Sequence, residues 1–267
     1  MQRKTQFQAY VGRKQGSDGR YFQSPNALVI MLDINPSAPL LLSLRVAGLA
    51  TFFSFILGVG LAWAITRRGG ALRAGMDAFC TLPMVLPPTV AGFFLLMLFG
   101  VKRPLGQLFL EVFGIKIVFS WAATVIAAVV ISFPLMYRAA RGAFEQVDET
   151  LIYAARTLGF SEWKIFWKVM LPVAMPGVLS GAILAFARGL GEFGATAMLA
   201  GNIAGKTQTL PLAIYSEVAA GKMSEAYKYV LIIVVISFLV VVLMNVLSAK
   251  ETRAGGQKKS RKRREGL

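Results

Sequence analysis

Arg188 and Glu192 stand four residues apart inside an otherwise apolar stretch, Pro172–Ala200. On a helix that spacing puts both on one face, one turn apart. Charged side chains in a hydrocarbon-crossing segment are costly, so they line a polar path or pair with each other. Two roles are open: a gate on a pathway for a charged solute, or an ion pair knitting spans together near the headgroups. Glu192 would repel an anion, which favours gating or packing over ligand binding. Pro83, Pro87 and Pro88 form a second group. Each removes a backbone donor and frees a carbonyl upstream, and such breaks are tolerated in a membrane where they line protein or a wet cavity. Pro87, Pro88 and Thr89 are therefore either gate elements or a packing kink, with Thr89 and Gly92 permitting close approach.

Other chemistry is poorly served. The chain has no histidine and one cysteine, Cys80. An internal disulfide is impossible, and no ligand set of His and Cys exists for zinc, copper or haem. No GxxxxGK[ST] phosphate loop occurs. An intramembrane enzyme would need a nucleophile–base pair or a metal cluster within the spans, and Glu192 is the only acid well inside one. The expectation is a chain that is not an enzyme and needs no cofactor or metal.

A polar, partly basic island, YAARTLGFSEWKIFWKVMLP at 153–172, lies between the long apolar stretches. Asp148 can cap a helix beginning at Glu149. Leu151, Ala155 and Leu158 fall at i, i+4 and i+7 and make one apolar stripe, flanked by Ile152 and Ala154. Gly159 supplies the left-handed position that closes the helix. About ten residues span roughly 15 Å, too short for a bilayer and marginal alone in water. Ser161 then caps a second helix carrying Trp163, Phe166 and Trp167. A membrane protein holding such a piece in water offers it to a soluble partner.

These elements belong to a chain of 267 residues that is 56% hydrophobic, with a mean hydropathy of +0.61. That balance marks an integral membrane protein. Five stretches are long enough to cross a hydrocarbon core: Pro39–Thr66, Leu82–Val101, Ile117–Tyr137, Pro172–Ala200 and Lys228–Ser248. Arginine and lysine gather after the first and third and in the C-terminal tail, which places that side and the C-terminus in the cytoplasm. The formal charge is +16, of which residues 1–30 carry +4 and residues 249–267 carry +6. The basic tail 249–267 reads as an orientation anchor at anionic lipid rather than a nucleic-acid site. Residues 1–38 read as an N-terminal extension without structure, with translation starting at Met31, and 39–248 as the membrane domain. Arg45, near the outer start of the first span, reads as snorkelling to the headgroups.

The island's spacing resembles the cytoplasmic loop signature of ABC importer permeases, Glu-Ala-Ala, three residues, Gly, then nine residues and Ile-x-Leu-Pro. Ala154, Ala155, Gly159, Leu171 and Pro172 occupy matching positions, Val169 replaces Ile, and Tyr153 replaces Glu. The runs LPMVLPPTVAGFFLL (82–96), SFPLMYRAAR (132–141) and FARGLGEFGATAML (186–199) with GNIAGKTQTLPLAIY (201–215) are similar to the molybdate branch of that family. The resemblance implies an all-α, type I importer permease of about five spans with a coupling loop at 142–171. Leu151, Ala154, Ala155, Arg156, Leu158 and Gly159 would then dock into an ABC ATPase present in two copies. It further implies a homodimer in the cell (inner) membrane, a periplasmic or extracellular molybdate-binding protein, and alternating access driven by the ATPase; the polar, Gly-rich segment Gly201–Gln208 either meets that protein or is an ordinary connecting loop. Tungstate, or sulfate and thiosulfate, are the alternative substrates, and a secondary transporter the alternative mechanism. The latter would usually show internal repeats and more buried acids.

Overall fold

The computed structural model describes residues 37–265. The expected extension and Met31 start lie almost wholly outside them. The described chain is helical, and its order follows the apolar runs: α1 (Ser37–Thr66), α2 (Gly70–Val85), α3 (Pro88–Phe99), α4 (Pro104–Phe113) and α5 (Trp121–Glu145), followed by α6 (Glu149–Thr157), α7 (Glu162–Leu190), α8 (Gly194–Leu199), α9 (Leu210–Ala219) and α10 (Met223–Glu265). α1, α5, α7 and the apolar part of α10, Met223–Met244, are each long and apolar enough to cross a membrane. α2 and α3 are long and apolar enough only when taken together, and they are bent by 111° at their junction.

That bend corrects the expected second span. Leu82–Val101 is not one helix: the chain turns at Leu86–Pro87, where Pro87 is extended and Pro88 opens α3. Pro83, by contrast, sits inside α2, which continues to Val85. The fourth span is also redrawn. α7 starts at Glu162, with a π-turn over Phe166–Met170, and stops at Leu190 rather than Ala200.

α5 is the central helix. Of its most apolar stretch 56% is buried, against 28% for α1 and α7 and 6% for α10. Small residues make that enclosure possible, because lipid offers no hydrophobic gain and close packing must hold the spans. A Cβ at Gly181 of α7 would come within 2.5 Å of Ala139 Cβ on α5. The α1–α5 contact holds a buried Ser54–Ser132 hydroxyl pair at 3.0 Å. At the end of the bundle opposite α6, Ser43 Oγ accepts from Leu210 N at 2.7 Å and anchors the start of α9 to α1.

Candidate functional site

The short helix α6 is fixed by local chemistry at both ends. Asp148 is extended, and its carboxylate accepts from Thr150 N at 2.9 Å and Thr150 Oγ1 at 2.7 Å. An anionic acceptor here satisfies orphan amides and suits the positive end of the helix. At the other end Gly159 has φ +75°. Gly159 N donates to Arg156 O at 2.9 Å and Phe160 N to Ala155 O at 3.1 Å. This is the paired closure a left-handed glycine allows. Ser161 Oγ then accepts from Lys164 N and opens α7.

The expected single stripe of Leu151, Ala155 and Leu158 is split by the fold. Ala155 is 5% exposed and turns inward with half-buried Ile152, while Leu151 and Leu158 are 46% and 75% exposed. The helix has only nine residues, so the chain's own core claims the 152/155 face. Leu151, Ala154 and Leu158 are left facing out, while exposed Tyr153 borders the cleft toward the spans. Arg156 is turned toward Glu162, with Nε 2.8 Å from Oε1.

The gate candidates meet elsewhere. α3 packs on α8, so the two helix breaks lie side by side. A Cβ at Gly194 would come within 3.0 Å of Pro88 Cβ and 3.1 Å of Thr89 N, and one at Gly92 within 2.7 Å of Ala195 Cα. Pro87, Pro88 and Thr89 thus border the break that holds Glu192. Glu192 lies past the helix C-cap, Gly191, and not within the span as expected. It is 2% exposed. Its Oε1 accepts from Ala195 N at 2.8 Å, and its Oε2 stands 2.8 Å from Arg188 Nη1, a charge contact without hydrogen-bond alignment. The two side chains meet within one segment and join no separate spans, and Glu192 has a second task, holding the start of α8. Arg188 keeps 32% of its side chain exposed.

α6 and the breaks are far apart: α7, of 29 residues, separates them by about 43 Å along its axis. The loop beyond α8, Gly201–Gln208, is folded on itself. Thr207 Oγ1 accepts from Ile203 N at 2.9 Å, and the amides of Lys206, Thr207 and Gln208 all donate to Ile203 O. In its Gly-Lys-Thr run the amides of Lys206 and Thr207 are thus taken up within the loop. Among the described residues no group of three or more Cys, Asp or Glu is placed to hold a metal.

The family described as binding-protein-dependent transport system inner membrane component matches residues 54–253. The chain belongs to that family. It is 47% identical over 176 residues to the molybdenum transport system permease protein ModB of Escherichia coli (strain K12), covering 66% of this chain and 77% of that protein. It is 44% identical over 201 residues to the putative molybdenum transport system permease protein YvgM of Bacillus subtilis (strain 168), covering 75% and 88%. Among solved structures it resembles a chain of a bacterial ABC transporter for alginate import (TM-score 0.64, 14% identity, 91% and 89% covered) and one of the inward-facing MetNI methionine ABC transporter (0.62, 19%, 79% and 94%). At those identities the likeness is one of fold: the type I importer permease fold.

Two polar clusters of this inner-membrane component escape a reading by sequence. Glu162 sits between Arg156 and Arg67, with Arg67 Nη2 2.8 Å from Oε2. Beneath α2, buried Tyr137 donates to Asp77, which also pairs with Arg141, while Glu145 takes Arg141 Nε at 2.8 Å and Arg73. Only the Arg141–Glu145 pair, at i and i+4, carried a local signal. The other partners come from separate helices.

Proposed function

We propose that the chain is the membrane-spanning permease subunit of an ATP-driven molybdate importer. A single observation carries the mechanism: a capped nine-residue helix turns Leu151, Ala154 and Leu158 outward and keeps only Ala155 and Ile152 for its own core. Exposed apolar side chains on a rigid knob, beside a small alanine that lets another backbone approach, suit docking into a groove of a soluble subunit. That subunit is an ABC ATPase, in two copies, gripping two such permeases on the cytoplasmic side. Leu151, Ala154, Ala155, Arg156, Leu158 and Gly159 build the docked element. The C-terminus shares that side, following the distribution of Lys and Arg.

The substrate assignment is supported by the molybdenum permease names of the relatives. A dianion crossing a low-dielectric slab needs a wet or polar path. The joined breaks at Pro87–Thr89 and Arg188–Glu192 supply irregular backbone and charge where unbroken spans would supply none. They form a gate between two copies of the chain, opened and shut by alternating access as the ATPases close. A molybdate-binding protein delivers the oxyanion at the opposite face, where the Gly201–Gln208 loop lies. The test is uptake of labelled molybdate by vesicles holding this chain with its ATPase and binding protein. Uptake that needs ATP and stops with vanadate is expected; uptake that follows an ion gradient and ignores ATP overturns the proposal.

A further inference from the structure

The docking helix rests lightly on the rest of the chain. Ala155 is its one buried residue, and a cleft of about 420 Å³ separates it from the spans, bordered among others by Trp63, Arg67, Phe144, Ile152 and Glu162. Glu162 bridges this cleft. Its Oε1 accepts from Arg156 Nε at 2.8 Å, and its Oε2 is 2.8 Å from Arg67 Nη2. Arg156 belongs to α6, and Arg67 is the first residue past α1. The Arg67 guanidinium also lies 4.8 Å over the Trp63 ring, which in turn meets Trp163 at 5.4 Å and Phe166 at 4.8 Å between centroids.

We propose that Glu162 is a positioning residue that ties the docking helix to the end of the first span. A push on α6 is thereby delivered to α1 as well as to α7. The inference rests on the importer reading above and names how force enters the membrane domain. α7 follows α6 directly along the chain, so movement of α6 reaches it through the backbone. α1 has no such continuity and is reached only through side chains. The base of α7 is moreover a π-turn, Phe166–Met170, a wide turn of the kind frequent at functional sites. Unrestrained, that turn would absorb a displacement of α6. The Glu162 tie and the Trp63–Phe166 contact brace it against α1.

The three charged side chains are 37% to 47% exposed. Ion pairs so exposed add little to stability. Loss of the tie should therefore appear in coupling and not in folding.

The experiment uses the full transporter, with the ATPase and binding protein, in vesicles, and reads molybdate taken up per ATP hydrolysed. The unaltered chain must first show vanadate-sensitive uptake; if it does not, the importer reading fails, independently of the tie. Given that, Glu162→Gln and Arg67→Gln are each expected to keep the ATPase bound on purification yet lower uptake per ATP by about fivefold or more. The double variant should be no worse than the worse single, because both cut one linkage. An unchanged ratio in both singles, or losses that add in the double, overturns the proposal. Arg67→Gln leaves the Arg156–Glu162 pair intact and carries the test alone should Glu162→Gln fail to assemble.

Discussion

Gly92 of α3 lies against Ala195 of α8 so closely that a Cβ at position 92 would come within 2.7 Å of Ala195 Cα and 2.8 Å of Met198 Cβ. Backbone meets backbone here, between two half-helices that each begin at a break. Gly92→Ala should thus force α3 and α8 apart. Overpacking of this kind costs about 1–3 kcal/mol. The expected result is a lower thermal midpoint of the detergent-solubilised protein and a marked fall in uptake; Gly48→Ala, at a position inside α1 where a Cβ meets nothing within 4 Å, should lower neither.

Glu192 does two things at once, capping α8 through Ala195 N and facing Arg188. A charge swap, Arg188→Glu with Glu192→Arg, restores opposite signs but cannot restore an acceptor for the Ala195 amide. Uptake by the swapped protein should stay well below normal. Glu192→Gln keeps an acceptor and loses the charge, so it should retain more uptake than Glu192→Ala. Removing one member of a buried pair costs about 3–5 kcal/mol, and the partial exposure of Arg188 lowers this to about 2 kcal/mol in a denaturation series. Full recovery in the swap would show that pairing alone matters.

Gly159 holds φ +75°. A residue with a side chain there costs about 1–2 kcal/mol and loosens the paired closure of α6. Gly159→Leu is expected to reach the membrane in normal amount while ATP-driven uptake disappears. Membrane extraction followed by uptake assay checks both halves of that statement.

Leu158 is 75% exposed, so Leu158→Glu should leave the stability of the isolated chain within about 0.5 kcal/mol. Under the proposed docking, its effect should appear in the complex with the ATPase. The ATPase should copurify poorly with the variant, and its hydrolysis should no longer respond to loaded binding protein.

Local chemistry was legible in the sequence, and long-range pairing was not. Asp148 and Gly159 announce the ends of α6 because capping depends on residues a turn away. The same holds for the break at Pro87–Pro88. Pro83 misleads: α2 runs through it to Val85. α4 also carried an unread signal, Pro104 at its start and left-handed Gly114 at its end, the asymmetry typical of short helices. The break after Leu190 is hidden in a long, mostly apolar run, where Gly189, Gly191 and Gly194 and the charge of Glu192 are the cues. Two further features follow from tertiary contact: Glu162 meeting Arg67, and the inward turn of Ala155 that divides the expected stripe. No window of sequence contains both partners of either arrangement.

The measurement that bears most directly on the whole account is cross-linking from the outward face of α6. Cys80 is the chain's one cysteine and is buried, so Cys80→Ala with Leu158→Cys offers a single exposed thiol for a short bifunctional reagent in native membranes. The expected product joins this chain to a nucleotide-hydrolysing subunit, with a yield that changes between ATP-bound and nucleotide-free states. A thiol at 158 that reacts freely with small reagents yet never joins such a subunit would contradict the proposed docking.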